Sequence, residues 1–455
     1  MASSTAIALF TRDLRVHDNP TLNGAAESAD RVLPVFVLDD TILDSAYLAP
    51  NRASFLIDAL RDLDASLKQR GSGGLVVRRG DTAEEMAVLA RETGADRVHV
   101  AGDWSRHAQG RARRLDKALS DIGVELLVHD ETLVVVPPGA VAPDGKDHFA
   151  VFSPYHRRWS EQLRRPVLDA PARLASPDVR SGRIPSAGSL CEGRRAPHLP
   201  EGGESAGRRR MEGWVRSSVT SYAEHHDDLA GDDTSRLSAY LHFGCVSPLE
   251  LLAIAGRSQG AQAFTRQLAW RDFNLQLLAV RPEIAVEDYR GREDRWRNDE
   301  DELTAWQEGR TGYPIVDAAM RQLLQEGWMH NRGRLIVGSF LTKTLYLDWR
   351  AGARHFLHHL VDGDIANNQL NWQWVAGTGT DSRPNRVLSP LRQAERFDPD
   401  GDYVRRYLPE LAAVDGPAVH TPWKLPAELR ETLDYPEPIV DLAEGRQRFL
   451  DARDR

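Results

Sequence analysis

Between Asp362 and Trp374 the chain reads DGDIANNQLNWQW, which puts two carboxylates, several amides and two indoles into thirteen residues. If a helix starts after the turn at Gly363, then Asp364, Asn368 and Trp372 recur at i, i+4 and i+8 and share one face. Such a face offers a carboxylate, an amide and an oxidisable ring to a single ligand. The same pattern also fits an amphipathic helix with a capping acid and core tryptophans, so the rest of the chain has to decide. Of the chain's 11 tryptophans, seven (Trp270, Trp296, Trp306, Trp328, Trp349, Trp372 and Trp374) lie between residues 270 and 374. A single indole is ordinarily core or interface filler, whereas a cluster beside polar residues suggests stacking or electron transfer.

The elements that must hold these residues follow from composition and periodicity. With 455 residues, 41% of them hydrophobic and 27% charged, the chain reads as a soluble globular protein large enough for two or three domains. A net charge of −9 provides no global attraction to nucleic acid, so any DNA site has to be a local basic groove. Cys191 and Cys245 are too few for a disulfide framework and point to a reducing, cytoplasmic setting. The start has no basic stretch followed by a long apolar run, and no later run approaches a membrane span.

Over residues 1–130, short apolar runs at 7–10, 32–38, 75–77, 98–101 and 124–128 alternate with helical patterns at 51–69, 82–93 and 109–122. This alternation predicts an α/β domain, a doubly wound parallel sheet covered on both faces. Ligands on such sheets bind beyond the carboxyl ends of the strands, here Thr11-Arg12-Asp13, Leu38-Asp39-Asp40 and Gly102-Asp103. No GxGxxG or Walker A loop follows a strand, so dinucleotide and NTP readings lack their fingerprint.

Residues 131–210, rich in Pro, Gly and Arg, read as a long interdomain linker. Helical spacing at 237–241, 248–255, 263–279, 315–326, 334–345 and 352–360 makes 211–455 a larger all-α domain. The basic run Arg208-Arg209-Arg210 reads as a solvated surface. His355, His358 and His359 have helical spacing but no second ligand pair, and His225-His226-Asp227-Asp228 likewise reads as surface, so no metal site is expected.

Several motifs closely resemble the FAD-containing photolyase/cryptochrome family. They are Thr234-Ser-Arg-Leu-Ser238, Trp270-Arg-Asp-Phe273, Gly312-Tyr-Pro-Ile-Val-Asp317, Gly327-Trp-Met-His-Asn-Arg332, Asp362 to Trp374, and Gly379-Thr-Asp381. The opening Arg12-Asp-Leu-Arg15 with His17-Asp-Asn19 extends the resemblance over the whole chain, which looks most like a class I cyclobutane pyrimidine dimer photolyase. Photolyases are among the enzymes that flip bases out of the duplex.

The resemblance implies light-dependent repair of UV-damaged DNA, in which excited reduced FAD lends an electron to the flipped dimer. It assigns FAD binding to Tyr222, Thr234, Ser235, Arg236, Leu237, Ser238, Gln267, Arg271, Asn331, Arg334, Asp362, Asp364 and Asn368. Thr234, Ser235 and Ser238 flank an expected helix start, where hydroxyls and free N–H groups can hold a pyrophosphate or simply cap the helix. Asp362 and Asp364 need a cation or donors if buried, with Arg334 as the implied ion partner. Asn368 matches the position facing flavin N5, where an amide can change hydrogen-bonding sense without ionising and so suits the reduced anion.

Trp372, Trp349 and Trp296 match an electron relay from the flavin outward. Substrate contacts are implied for Gln267, Trp270, Asn331, Arg332, Trp374 and Gln393, stacking supplying about 1–3 kcal/mol per base. Gln267 stands where cyclobutane photolyases usually carry Glu, and it cannot offer a carboxylic acid proton. Leu335 replaces a Met common among relatives, and His226 an Arg often used for DNA. His330-Asn-Arg332 lacks the adjacent histidines of six-four photolyases.

An antenna chromophore is expected in the first domain, deazaflavin rather than methenyltetrahydrofolate, with Asp39 and Asp103 as candidate ligands that could equally be helix caps. Neither a membrane nor an obligatory protein partner is implied, and a monomer is expected. A cryptochrome-like blue-light photoreceptor with little or no repair is the alternative that Gln267 would suit.

Overall fold

The computed structural model describes residues 3–231 and 233–453. Five strands, β1 (Thr5–Phe10), β2 (Arg31–Asp39), β3 (Val76–Gly80), β4 (Arg97–Ala101) and β5 (Glu125–His129), form one parallel sheet in the order β3-β2-β1-β4-β5. All five apolar runs seen in the sequence are strands, and helices connect them, so the α/β prediction holds. Pro34 sits inside β2 at no cost to the β3 ladder, because that pairing begins only at Val35.

Helix ends follow local chemistry. Asp81 caps Thr82–Thr93 and Ser105 caps Arg106–Ser120, while Gly94 stops the former in a left-handed conformation. The helix Pro20–Ser28 went unread although Asn19 caps it and Pro20 occupies its first turn; it is short and weakly amphipathic. Later come Ser238–His242, Pro248–Ala255, Gln259–Val280, Pro314–Glu326, Asn331–Ser339, Trp349–His359 and Ile365–Ala376. The helix expected at 334–345 instead changes hand-over at Phe340 into one π-helical turn, Phe340–Thr344, wholly buried.

Packing divides the chain into two compact units. One comprises Met1–Arg194, Pro200–Ala223 and Ser235–Pro282, the other Arg195–Leu199, Glu224–Thr234 and Glu283–Arg455. These do not follow the expected boundaries at 130 and 210. Most of the supposed linker packs within the first unit, where it forms the helix Phe152–Glu161, and Glu204–Ser217 begins inside it. Phe152, Tyr155 and Trp159 give that first helix a buried face, which their few apolar positions among charged neighbours concealed.

The first unit is held at its opening motif by Arg15, fully buried, whose guanidinium donates to the carbonyls of Asp18, Thr132 and Gly244. Gly244 has φ +64°, and a Cβ there would strike the Arg12 carbonyl at 1.9 Å, so only glycine allows this approach. The second unit has its own core, in which Trp306, Trp349 and Trp372 pack with Met320, Phe340 and Phe356.

Candidate functional site

In the second unit, Asp364 is the N-cap of Ile365–Ala376, accepting the Asn367 N–H at 2.9 Å, so the capping role is realised. Asp362 is different. Its Oδ2 pairs with Arg334 Nη2 at 2.7 Å, and Arg334 Nε is fixed by the Met329 carbonyl at 2.9 Å. Its Oδ1 is buried and accepts no hydrogen bond among the described residues. A buried carboxylate oxygen without a donor is costly, so this atom calls for a donor that the described residues do not provide.

Asn368, one turn along, donates its amide to the Ala353 carbonyl at 3.1 Å and to Gln369 Oε1 at 3.0 Å. Its remaining chemistry toward a ligand is therefore that of an oxygen acceptor. Asp364, Asn368 and Trp372 are all buried on this helix, whereas Trp374, two residues from Trp372, turns to a half-exposed side near Arg386.

The expected relay tryptophans share one core but do not touch ring to ring among the described residues. Trp372 packs edge-on against Phe356 at 4.9 Å and against Trp306, a tryptophan outside the expected relay, at 6.0 Å. Gly352 makes room for it, since a Cβ there would lie 2.3 Å from the indole. Trp349 is buried, with Nε1 donating to Asp288 Oδ1 at 2.8 Å and the Arg350 guanidinium 4.7 Å over its ring. Partly exposed Trp296 packs 5.0 Å from Tyr346.

Among the expected substrate residues of this unit, Asn331 is exposed at the start of Asn331–Ser339. Arg332 is already engaged, paired through both nitrogens with Asp227 and lying 4.2 Å over Phe397. Gln393 keeps a buried Oε1 with no donor among the described residues. Burial and mutual repulsion lower His355 to about 3 and His359 to about 4, so both are neutral at physiological pH. Among the described residues, no group of three His, Cys, Asp or Glu is arranged to hold a metal ion.

In the first unit, Gln259–Val280 carries Gln267, exposed, and Trp270, partly buried. Phe152 stacks on Trp270 with centroids 3.7 Å apart and planes 3° from parallel. Arg271 donates to the Leu133 carbonyl at 2.5 Å and the Leu241 carbonyl at 3.3 Å, a structural use that the resemblance did not assign. Asp272 Oδ2 accepts from the Val135 and Val136 amides and Trp159 Nε1, and burial pushes its carboxyl up to about 6. Tyr222 packs edge-on between Trp214 and Phe264. In the Ser235–Ser238 turn, Arg236 has φ +52°, Leu237 precedes the helix Ser238–His242, and the Ser235 carbonyl accepts from Arg210. Thr234 precedes this turn as the last residue of a second-unit segment.

The sheet reverses its order between β1 and β4, and the ends of these strands carry a charged cluster. Asp103 pairs with Arg12 at 3.4 Å and accepts the Ser105 N–H. Asp39 caps the turn beginning at Asp40 and accepts from Thr82 at 2.8 Å; burial opposes its charge, but these hydrogen bonds hold its carboxyl below the usual range. Among the described residues, buried Thr11 Oγ1 and His107 Nε2 have no hydrogen-bond partner, and burial lowers Arg111 against the pull of Asp103, Asp39 and Asp13. Thr11 belongs to an expected strand-end run, whereas nothing in the sequence reading points to His107 and Arg111; the signal is there, since the helix after β4, Arg106–Ser120, must begin at the strand ends.

The chain is similar to known proteins over its whole length. Residues 6–175 match the family model described as DNA photolyase, and 264–455 the FAD binding domain of DNA photolyase. The chain is 56% identical over 454 residues, 99% of each chain, to a deoxyribodipyrimidine photo-lyase of Streptomyces griseus. It superposes on a bacterial class III photolyase from Agrobacterium tumefaciens with TM-score 0.93 and 32% identity, covering 100% and 98% of the two chains. An archaeal photolyase from Sulfolobus tokodaii, described with two FAD molecules, gives TM-score 0.87 at 31% identity over 99% of each. With both family models matched and relatives of this kind over its whole length, the chain belongs to the photolyase/cryptochrome family.

Proposed function

We propose that this chain is a deoxyribodipyrimidine photolyase that repairs UV-damaged DNA in light, of the class I cyclobutane-dimer kind, with FAD as its working cofactor. The observation that carries the reading is Asp362, ion-paired to Arg334 through one oxygen and holding the other, buried, for a donor. When bound, reduced FAD supplies on illumination the electron that opens the cyclobutane ring, and receives it back.

The chain's own residues bind and orient. Arg334 holds Asp362 in place through Oδ2, so that Asp362 Oδ1 can accept from a ring or ribose donor. The Asn368 oxygen accepts a hydrogen bond where a reduced flavin carries a proton, and Tyr222, Thr234 to Ser238, Arg271 and Asp364 complete the grip by family similarity. Trp372, Trp349 and Trp296 provide oxidisable rings for activation of the cofactor, separate from repair. Trp270 and Trp374 stack on the flipped dimer while Gln267, Asn331, Arg332 and Gln393 hold it or nearby phosphates. For Arg332 this requires sharing the guanidinium with Asp227.

In the same reading the division into an antenna domain at 1–130, a linker at 131–210 and a flavin domain at 211–455 is functional, while packing groups the chain otherwise. The strand-end cluster of Asp39, Asp103, Thr11, His107 and Arg111 holds the antenna chromophore, a deazaflavin. The protein acts as a cytoplasmic monomer; no helix among the described residues is long and apolar enough to cross a membrane. Incubation with UV-irradiated plasmid tests the reading: dimer-specific endonuclease sites disappear under blue light and persist in the dark. Sites that persist equally in both would contradict it.

A further inference from the structure

We propose that Phe152 is a positioning residue for lesion recognition, holding Trp270 from one face so that a flipped pyrimidine dimer meets only the other. The inference rests on the proposed function and adds to it a residue from the stretch that the sequence presents as a linker. Aromatic pairs in cores normally sit offset or edge to face with centroids about 4.5–7 Å apart. Phe152 and Trp270 instead lie nearly superimposed at 3.7 Å and 3°, so one face of the indole is covered and admits no other ring.

This arrangement is enforced by its surroundings. Phe273 stands edge-on to both rings, 5.7 Å from Phe152 and 5.5 Å from Trp270, at 89° and 90°. The helix bearing Phe152 is tied down at Trp159, whose Nε1 donates to buried Asp272 Oδ2 at 2.9 Å. Phe152 itself is buried, whereas Trp270 remains partly exposed. The indole thus has a fixed plane, a covered face and open surface left over, which is the geometry a preformed stacking platform requires.

The test is dark equilibrium binding of flavin-loaded protein to an oligonucleotide with one thymine cyclobutane dimer and to the undamaged strand. Phe152→Leu weakens dimer binding about three- to tenfold, the ratio expected for losing one aromatic pair. Binding of undamaged DNA, flavin content and the light-driven repair rate at saturating DNA stay within about twofold. Phe152→Tyr restores the affinity, and in a Trp270→Leu background Phe152→Leu produces no further loss. Should the leucine variant fold poorly, the same comparisons are made with Phe152→Met, whose flexible side chain refills the space without a ring. Unchanged discrimination in a folded, flavin-loaded variant overturns the inference, as does an equal loss in the Trp270→Leu background. If the unmodified protein itself fails to prefer the dimer, the proposed function falls, and this inference with it.

Discussion

Asp39, at the end of β2, and Asp362, ahead of Ile365–Ala376, are both buried acids near a basic side chain, but their oxygens are used differently. Asp39 is consumed locally: Thr41 donates to one oxygen and Thr82 to the other, and His107 is 4.0 Å away. Asp362 has Arg334 on one oxygen and, among the described residues, no hydrogen-bond donor on the other. At the strand ends it is not the acids but Thr11 Oγ1 and His107 Nε2 that have no hydrogen-bond partner among the described residues. An acid in a cleft therefore identifies a ligand site only where its hydrogen-bonding capacity exceeds what the fold fills; elsewhere it is a cap.

The comparison breaks most sharply if Asp362 proves dispensable. Asp362→Ala leaves Arg334 unpaired and removes the waiting acceptor, so flavin content after purification should fall at least about tenfold, read from the flavin-to-protein absorbance ratio. Full occupancy would place the flavin elsewhere. Trp372→Phe keeps an aromatic against Trp306 and Phe356 but raises the oxidation cost. Photoreduction of the oxidised protein should slow about tenfold, a rise of about 1.4 kcal/mol in the barrier, with repair by chemically reduced protein unchanged. Unchanged photoreduction would remove Trp372 from the relay.

Asp39→Ala should do the opposite of Asp362→Ala, lowering stability by about 1–2 kcal/mol through a lost cap while flavin content stays intact. Loss of flavin there would erase the distinction between the two acids. The smallest effect concerns pH. Burial raises Asp272 and Asp317 each to about 6, so the folded state binds these protons more tightly than the unfolded chain. Their contribution is fully present below about pH 4, the unfolded value, and is lost as pH rises through 6. Asp39, held low, contributes with the opposite sign, above about pH 4, and loses it as the pH falls further. Asp272→Asn should flatten part of the decline in melting temperature between pH 4 and 6; an unchanged slope would mean that Asp272 is not protonated when folded.

The sheet was legible because its strands are short runs rich in apolar residues, and β1, TAIALF, has no exposed residue to confuse the pattern, while the partly exposed edge strand β5 keeps the apolar core Leu126-Leu-Val128. Helices with strong caps or glycine stops, such as Thr82–Thr93 and Pro314–Glu326, were equally plain. Phe152–Glu161 was not, because its buried positions are outnumbered by arginines and serines and its partner, Asp272, is more than a hundred residues away. Site chemistry showed the same limit. Spacing brought Asp364, Asn368 and Trp372 to one helix, but that Arg271 donates to backbone carbonyls and Arg332 to Asp227 depends on tertiary neighbours that spacing cannot reveal.

The most direct test of the central reading is repair of an oligonucleotide carrying one defined cyclobutane thymine dimer by dithionite-reduced protein, with blue light and without. Restoration of intact thymines in light alone is the predicted result, and it would show that Gln267 is compatible with repair. No restoration in either condition, from protein that holds flavin and photoreduces it, would contradict the photolyase reading.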